Sequence, residues 1–267
     1  MADPRLKQKL DAGEFIVAPG VFDMISAMLA ERVGFDAVYA SGFWLTASHL
    51  GIPDAGLATY TDMLSRIAKV VEKSSAPVIA DADTGFGGLL NVQHTVRGYE
   101  RAGVSAIQIE DQEFPKKCGH TPYRRVIPLE DMVAKVRVAV DSRTDPNFLV
   151  IARTDARTGL GFEEAVRRGA AYAEAGADLV FVHELGGFLV GEQLERFADL
   201  EPARRGAVAA HVREHALQLL RELFHARRRH DFHAGAQRAQ FDLDLALVEL
   251  AFAQHLAEAL ARIVLLW

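Results

Sequence analysis

APVIADADTGFGG, Ala76 to Gly88, runs from a short apolar stretch into two acids and then a glycine-rich turn. Val78, Ile79 and Ala80 offer no polar face, which marks a strand buried on both sides rather than one with a wet face. Acids at the exit of such a strand are costly unless something positive lies against them. Gly85, Gly87 and Gly88 permit a sharp, low turn that lets a ligand approach the backbone.

The same kind of stretch recurs along the chain. FIVAPG (15–20), AVYASG (37–42), PVIADAD (77–83), AIQIED (106–111), FLVIARTD (148–155) and DLVFVHE (178–184) read as buried strands. Segments with helical spacing separate them, such as TDMLSRIAKVVEKS and FEEAVRRGAAYAEAG. Gly34, Gly103 and Gly176 stand where helix-ending glycines stand, and VGFDAVYA, AGVSAIQI and AGADLVFV form a weak βα repeat. Doubly apolar strands alternating with helices imply a covered parallel sheet, either doubly wound or a (β/α)8 barrel. From the second strand onward each ends in polar residues: Ser41; Asp81 and Asp83; Glu110 and Asp111; Arg153 and Asp155; His183 and Glu184. A barrel gathers all such ends into one ring, so the expected fold is α/β of the (β/α)8 TIM-barrel type, with six recognisable strand–helix units in residues 1–184.

The 267 residues are 50% apolar and carry a formal net charge of −6. Mild acidity argues against nucleic acid or an anionic membrane surface as a partner. One cysteine, Cys118, leaves no internal disulfide and fits a reducing compartment. The segment MADPRLKQKLDAGEF lacks the apolar core of a signal peptide, and no apolar run approaches the roughly 20 residues of a membrane span. A cytoplasmic protein is expected.

Residues i and i+2 of a strand share a face, so Asp81 and Asp83 should aim together at the barrel mouth, joined by Glu110 or Asp111. Converging carboxylates need a counter-charge; Mg²⁺, held through oxygens and waters, is the economical choice, with Mn²⁺ as a second candidate. Pairing with arginines, or capping of the following helices, is the structural alternative. Near these strands no His or Cys pair has zinc spacing. Arg153 suits a substrate carboxylate or phosphonate, its alternative being a salt bridge to one of the acids. Ser41-Gly42-Phe43 offers a hydroxyl and free amides to an anion. In FPKKCGHTPYRR (Phe114–Arg125), Cys118 lies beside Lys116, Lys117 and His120, which should favour its thiolate and make it an acid/base candidate near neutral pH.

PGVFD, ASGFW, GIPDAG, DADTGFGG, IEDQ, KKCGH and IARTDA occur in this order. Together they resemble the isocitrate lyase and phosphoenolpyruvate mutase superfamily, over about residues 10–184. The shorter members are the most similar: 2-methylisocitrate lyase, oxaloacetate decarboxylase, dimethylmalate lyase and carboxyphosphonoenolpyruvate phosphonomutase. The resemblance implies that Asp81 is the direct Mg²⁺ ligand, that Asp83 and Glu110 hold its water shell, and that Asp54 is a loop acid near the metal. It implies a substrate cradle at Ser41, Gly42 and Phe43, an anion-binding Arg153, and a catalytic acid, Cys118, on a gating loop with Lys117 and His120. His183 would meet substrate. Lyases of the superfamily tend to carry glutamate there and the mutase histidine, and this chain has His183 followed by Glu184. The implied activity is a Mg²⁺-dependent C–C lyase or decarboxylase acting on a small 2-oxo or 2-hydroxy di- or tricarboxylate. A phosphonomutase and an inactive family member are the alternatives. A homo-oligomer, dimer or tetramer, is also implied.

After Glu184 the expected seventh- and eighth-strand signatures, an Asn-Met segment, a GGKTP turn and YPL, are absent. The last Asn is Asn147 and the last Ser is Ser142, while seven of the ten histidines fall from His183 onward. Residues 185–267 are therefore expected to be an atypical, mostly helical segment, from a shifted reading frame or from divergence. The scattered histidines give no metal spacing.

Overall fold

In the computed structural model, which describes residues 1–183 apart from Gly13 and Phe15 together with the backbone of Phe188 and Leu189, six parallel strands pair in chain order. They are β1 (Gly20–Val21), β2 (Val38–Ala40), β3 (Val78–Asp81), β4 (Ala106–Glu110), β5 (Leu149–Thr154) and β6 (Leu179–Val182). A doubly wound sheet reverses its order part-way; an unbroken sequential order, with helices between strands, is that of the (β/α)8 barrel. A short β7 (Phe188–Leu189) pairs antiparallel with β6. It is a strand inside the stretch expected to be helical. The rest of residues 184–267, with the helical and reading-frame expectations and Glu184, lies outside the described residues.

Strand alternation sorts the side chains into two sets. Ala37, Tyr39, Ile79, Ala106, Leu149, Ile151, Leu179 and Phe181 fill the barrel interior with Ile16 and Ala18. Val38, Ala40, Val78, Ala80, Ile107, Ile109, Val150, Ala152, Val180 and Val182 face outward, under the helices. The register places Tyr39 beside Ile79, Asp81 beside Gln108, and Glu110 beside Arg153. Continued toward the C-terminal ends, by two residues on most strands and through Gln108 on β4, the inward set becomes Ser41, Asp81, Glu110, Arg153 and His183. The apolar interior therefore ends in a polar rim.

The helices form where the spacing predicts them. α3 (Tyr60–Lys73) starts at a capping box between Thr59 and Asp62 and buries Met63, Ile67 and Val70 along one face. Burial of each such side chain contributes about 1.5–3 kcal/mol. α2 (Met24–Val33) ends at Gly34 with φ +84°, a left-handed cap that a side chain would strain. Two features depart from expectation. The first strand, expected over 15–20, forms ladder pairs at Gly20–Val21, because Pro19 has no amide to donate. An unexpected α1 (Pro4–Asp11) buries Leu6 against the barrel interior, with Leu10 beside it. Among the described residues no helix is long and apolar enough to cross a membrane.

Candidate active site

The strand ends form the walls of a cleft. Asp54, Asp81, Glu110, Arg153, Phe181 and His183 line it. Tyr39 and Gln108 make its floor, while Lys116, Cys118 and His120 cover it from the loop after β4. Ser41 and Phe43 stand at its edge.

Asp81, the last residue of β3, accepts the Gly42 amide at 3.2 Å and the Asp83 amide at 2.9 Å. Asp83 does not share its face through a strand. β3 stops at Asp81, and Asp83 has φ +49°, so the i, i+2 rule no longer applies at that position. Its carboxylate instead meets Lys116 Nζ at 2.7 Å, and the same ammonium lies 2.5 Å from Asp54 Oδ1. The positive partner that the acids require is thus, in part, a lysine. The loop order selects Lys116, 4% exposed in its side chain, whereas Lys117 is exposed and its Nζ donates to the Tyr123 carbonyl.

The choice between Glu110 and Asp111 is settled by the pleat. Glu110 faces the cleft, 3.3 Å from Arg153 Nη1. Asp111 faces the helices and accepts from Thr154 Oγ1, Tyr172 Oη, the Asp155 amide and Arg168 Nη1. Its role is to tie β4 to β5 and to α4 (Phe162–Glu174).

Arg153 is held in a bidentate grip by Asp155, at 2.8 and 2.9 Å, and its guanidinium lies over the Phe181 ring. The salt-bridge alternative therefore operates in the ligand-free protein, with Arg153 still on the cleft wall. Burial pushes Asp155 up, but the charge and hydrogen bonds of Arg153, with Arg124 behind it, outweigh it and hold the carboxyl below its usual range. Burial, then Arg153, drives His183 down to about 3, so its imidazole is neutral near pH 7.

Two expectations about the site change. Cys118 does not have a favoured thiolate. Burial, and after it the nearby Asp54, raise its pKa, and these outweigh the His120 amide, Lys116 and Arg153. The lysine that should have activated it is already matched by carboxylates. Nor are the amides of Ser41 and Gly42 free: Ser41 donates to the Val21 carbonyl at 3.3 Å and Gly42 to Asp81. Sequence reasoning passed over Gln108, Gln112 and Tyr39, whose roles depend on contacts across strands. Gln108 Nε2 donates to the Tyr39 hydroxyl at 2.7 Å, and that hydroxyl interacts with Asp81.

The donor set fits a hard divalent cation. Burial first, then crowding by Asp81 and Asp54, raises Asp83 to about 6 despite Lys116; Glu110 is raised well above its usual value, burial again leading. Lys116 stays charged because four neighbouring acids outweigh its burial. Asp54, Asp81, Asp83 and Glu110 outnumber the cations set against them, Lys116 and Arg153, and every atom they would offer a metal is an oxygen. Among the described residues no three His, Cys, Asp or Glu side chains converge at direct-ligand spacing.

A family model described as phosphoenolpyruvate phosphomutase matches residues 6–223. The chain belongs to that family. The match runs past Glu184, where the resemblance read from motifs alone ended. This family member is 49% identical over 198 residues to the 2,3-dimethylmalate lyase of Eubacterium barkeri, covering 74% of this chain and 68% of that protein. It is 44% identical over 209 residues to a 2-methylisocitrate lyase of Aeropyrum pernix, covering 78% of this chain and 65% of that protein. The matched part thus spans about two thirds of the length of these relatives. A solved phosphonopyruvate hydrolase in complex with oxalate and Mg²⁺ superimposes with a TM-score of 0.64 at 31% identity, covering 94% of this chain and 99% of that one.

Proposed function

We propose that this protein is a Mg²⁺-dependent lyase or decarboxylase that breaks a C–C bond of a small 2-oxo or 2-hydroxy di- or tricarboxylate. The observation that carries the reading is one cleft lined together by Asp54, Asp81, Glu110, Arg153 and Cys118. The similarity to a dimethylmalate lyase and a methylisocitrate lyase supports the same chemistry. Asp81 would hold the cation, with Glu110, Asp54 and Asp83 orienting its waters; bound there, Mg²⁺ supplies positive charge for a developing enolate. Arg153 places a substrate carboxylate. Cys118, whose raised pKa keeps it a thiol near pH 7, holds a proton at Sγ for delivery to the carbon released when the bond breaks. The loop over the cleft excludes water that would otherwise quench the carbanion.

A phosphonomutase is the second reading, favoured by His183 on the cleft wall beside Arg153. Neutral His183 can donate one hydrogen bond to a phosphonate oxygen without adding charge. The protein also acts, in this reading, as a homo-oligomer, dimer or tetramer, which would cover the exposed Ile25, Met28 and Leu29 of α2. Incubation with Mg²⁺ and, in turn, oxaloacetate, 2-methylisocitrate and phosphonopyruvate separates the readings, with pyruvate release followed by coupled assay and products identified by mass. Release from oxaloacetate or 2-methylisocitrate is expected. Turnover of phosphonopyruvate alone would favour the second reading, and turnover of none would leave an inactive family member.

A further inference from the structure

The loop that carries Cys118 is joined to the rim acid Glu110 by one side chain. Gln112 stands two residues beyond Glu110 and is 2% exposed. Its Nε2 donates to Glu110 Oε1 at 2.8 Å and to the Lys117 carbonyl at 2.9 Å. Its Oε1 accepts the Lys117 amide at 3.1 Å. Both N–H groups and the carbonyl of the side chain are therefore engaged. The amide pairs with a loop peptide much as a neighbouring strand would, and gives its remaining hydrogen to the carboxylate.

The loop is tied down along its length: the Lys116 ammonium pairs with Asp54 and Asp83, and Arg124 pairs with Asp155. At its base, Gln112 and Val126 form an antiparallel bridge, with the Glu113 amide on the Arg125 carbonyl and the Ile127 amide on the Asp111 carbonyl. Nearer its tip Gln112 adds a tie to the Lys117 peptide, next to Cys118. Beyond it, Gly119 packs so closely that a Cβ there would stand 2.6 Å from Arg153 Nη2 and 2.7 Å from His183 Nε2. Glu110 itself is fixed from two sides, through Oε1 by Gln112 and through Oε2 by Arg153 at 3.3 Å.

We propose that Gln112 is the latch of the Phe114–Arg125 loop, a positioning residue that holds Cys118 over the cleft and ties the loop's position to the orientation of Glu110. A glutamate there would lose both donations and set a second acid against Glu110. The consequence for turnover rests on reading the cleft as an active site; the latch itself does not require any reaction.

Cys118 is the one cysteine of the chain, so iodoacetamide labelling of the ligand-free protein, well below its melting temperature, reports on this loop alone. Gln112→Ala and Gln112→Glu should each label about tenfold faster than wild type, the shift expected when one buried hydrogen bond's worth of latch is lost. The Lys117 amide should lose hydrogen-exchange protection in both. Glu110→Ala should also speed labelling, and the double variant Glu110→Ala/Gln112→Ala should label no faster than Gln112→Ala. A purely structural role would lower the melting temperature without this non-additivity. Equal labelling of wild type and Gln112→Ala, or additive effects in the double variant, overturns the proposal. Absence of turnover with the labelling pattern intact would count against the enzymatic reading and leave the latch standing.

Discussion

The position a Cβ would take on Gly42 lies 2.7 Å from Asp81 Oδ2 and 2.9 Å from its Cγ. The start of the short helix after β2 is thus built around the carboxylate at the end of β3, and Gly42 is a glycine because of that approach. Gly42→Ala must push the Asp81 side chain aside. A competent site should gain roughly 2–3 kcal/mol from Mg²⁺ and oxalate at a hundredfold excess over Kd. Most of that gain should vanish in Gly42→Ala, measured as the shift in melting temperature. A shift equal to that of wild type would mean that Asp81 does not anchor the bound pair.

Lys116 and Lys117 are adjacent in sequence and opposite in role. Removing the buried Lys116 leaves Asp54 and Asp83 facing each other without their counter-charge. Lys116→Met should cost about 3 kcal/mol or more in EDTA, as the loss of one partner of a buried pair does. Lys117→Met, at an exposed position, should stay within about 0.5 kcal/mol. Urea denaturation of the two variants checks this, and equal losses would contradict the placement of the loop.

Glu110 and Asp111 offer the same contrast on a strand. Asp111 accepts four hydrogen bonds between sheet and helices, so Asp111→Asn turns an acceptor into a donor facing donors. It should cost about 3 kcal/mol. Glu110→Gln removes a buried charge whose proton affinity is already raised, and should be no less stable than wild type in EDTA. Only Glu110→Gln should suppress the stabilisation by Mg²⁺ and oxalate at unchanged basal stability. Calorimetry with and without the pair distinguishes the two, and the reverse pattern would exchange their assignments.

The strand residues of this site were legible because period-two alternation fixes a face even in strands of three or four residues. Once Tyr39, Ile79 and Ile151 are inside, Ser41, Asp81 and Arg153 must be at the rim. Legibility ended where the backbone left the ladder. Asp83 is past the strand end and in the left-handed region, so its partner could not be read from its spacing. Choosing between two consecutive lysines required the path of a loop without periodicity. The acidity of Cys118 was misjudged because its sequence neighbours are cationic, while Asp54, 64 positions away, and burial set its environment. Pro19 and the interior placement of Leu6 show the same limit at the first strand, where one missing amide and a covering helix decide the geometry.

His183 gives the fold a dependence on pH of definite sign. Its native pKa lies near 3, from burial and then Arg153, while an unfolded histidine titrates near 6.5. Between those values the unfolded chain takes up a proton that the native one refuses, so stability falls as the solution is acidified below about 6.5. The slope from this one group approaches about 1.4 kcal/mol per pH unit. Asp83, raised to about 6, works in the opposite direction between its unfolded value and 6, so the net curve of the wild type does not isolate the histidine. The difference between wild type and His183→Asn does. In EDTA the variant's unfolding free energy should decline less steeply from pH 6.5 to 4.5, the two curves drawing together as the pH falls. Parallel curves over that interval would show that His183 is not held neutral against Arg153.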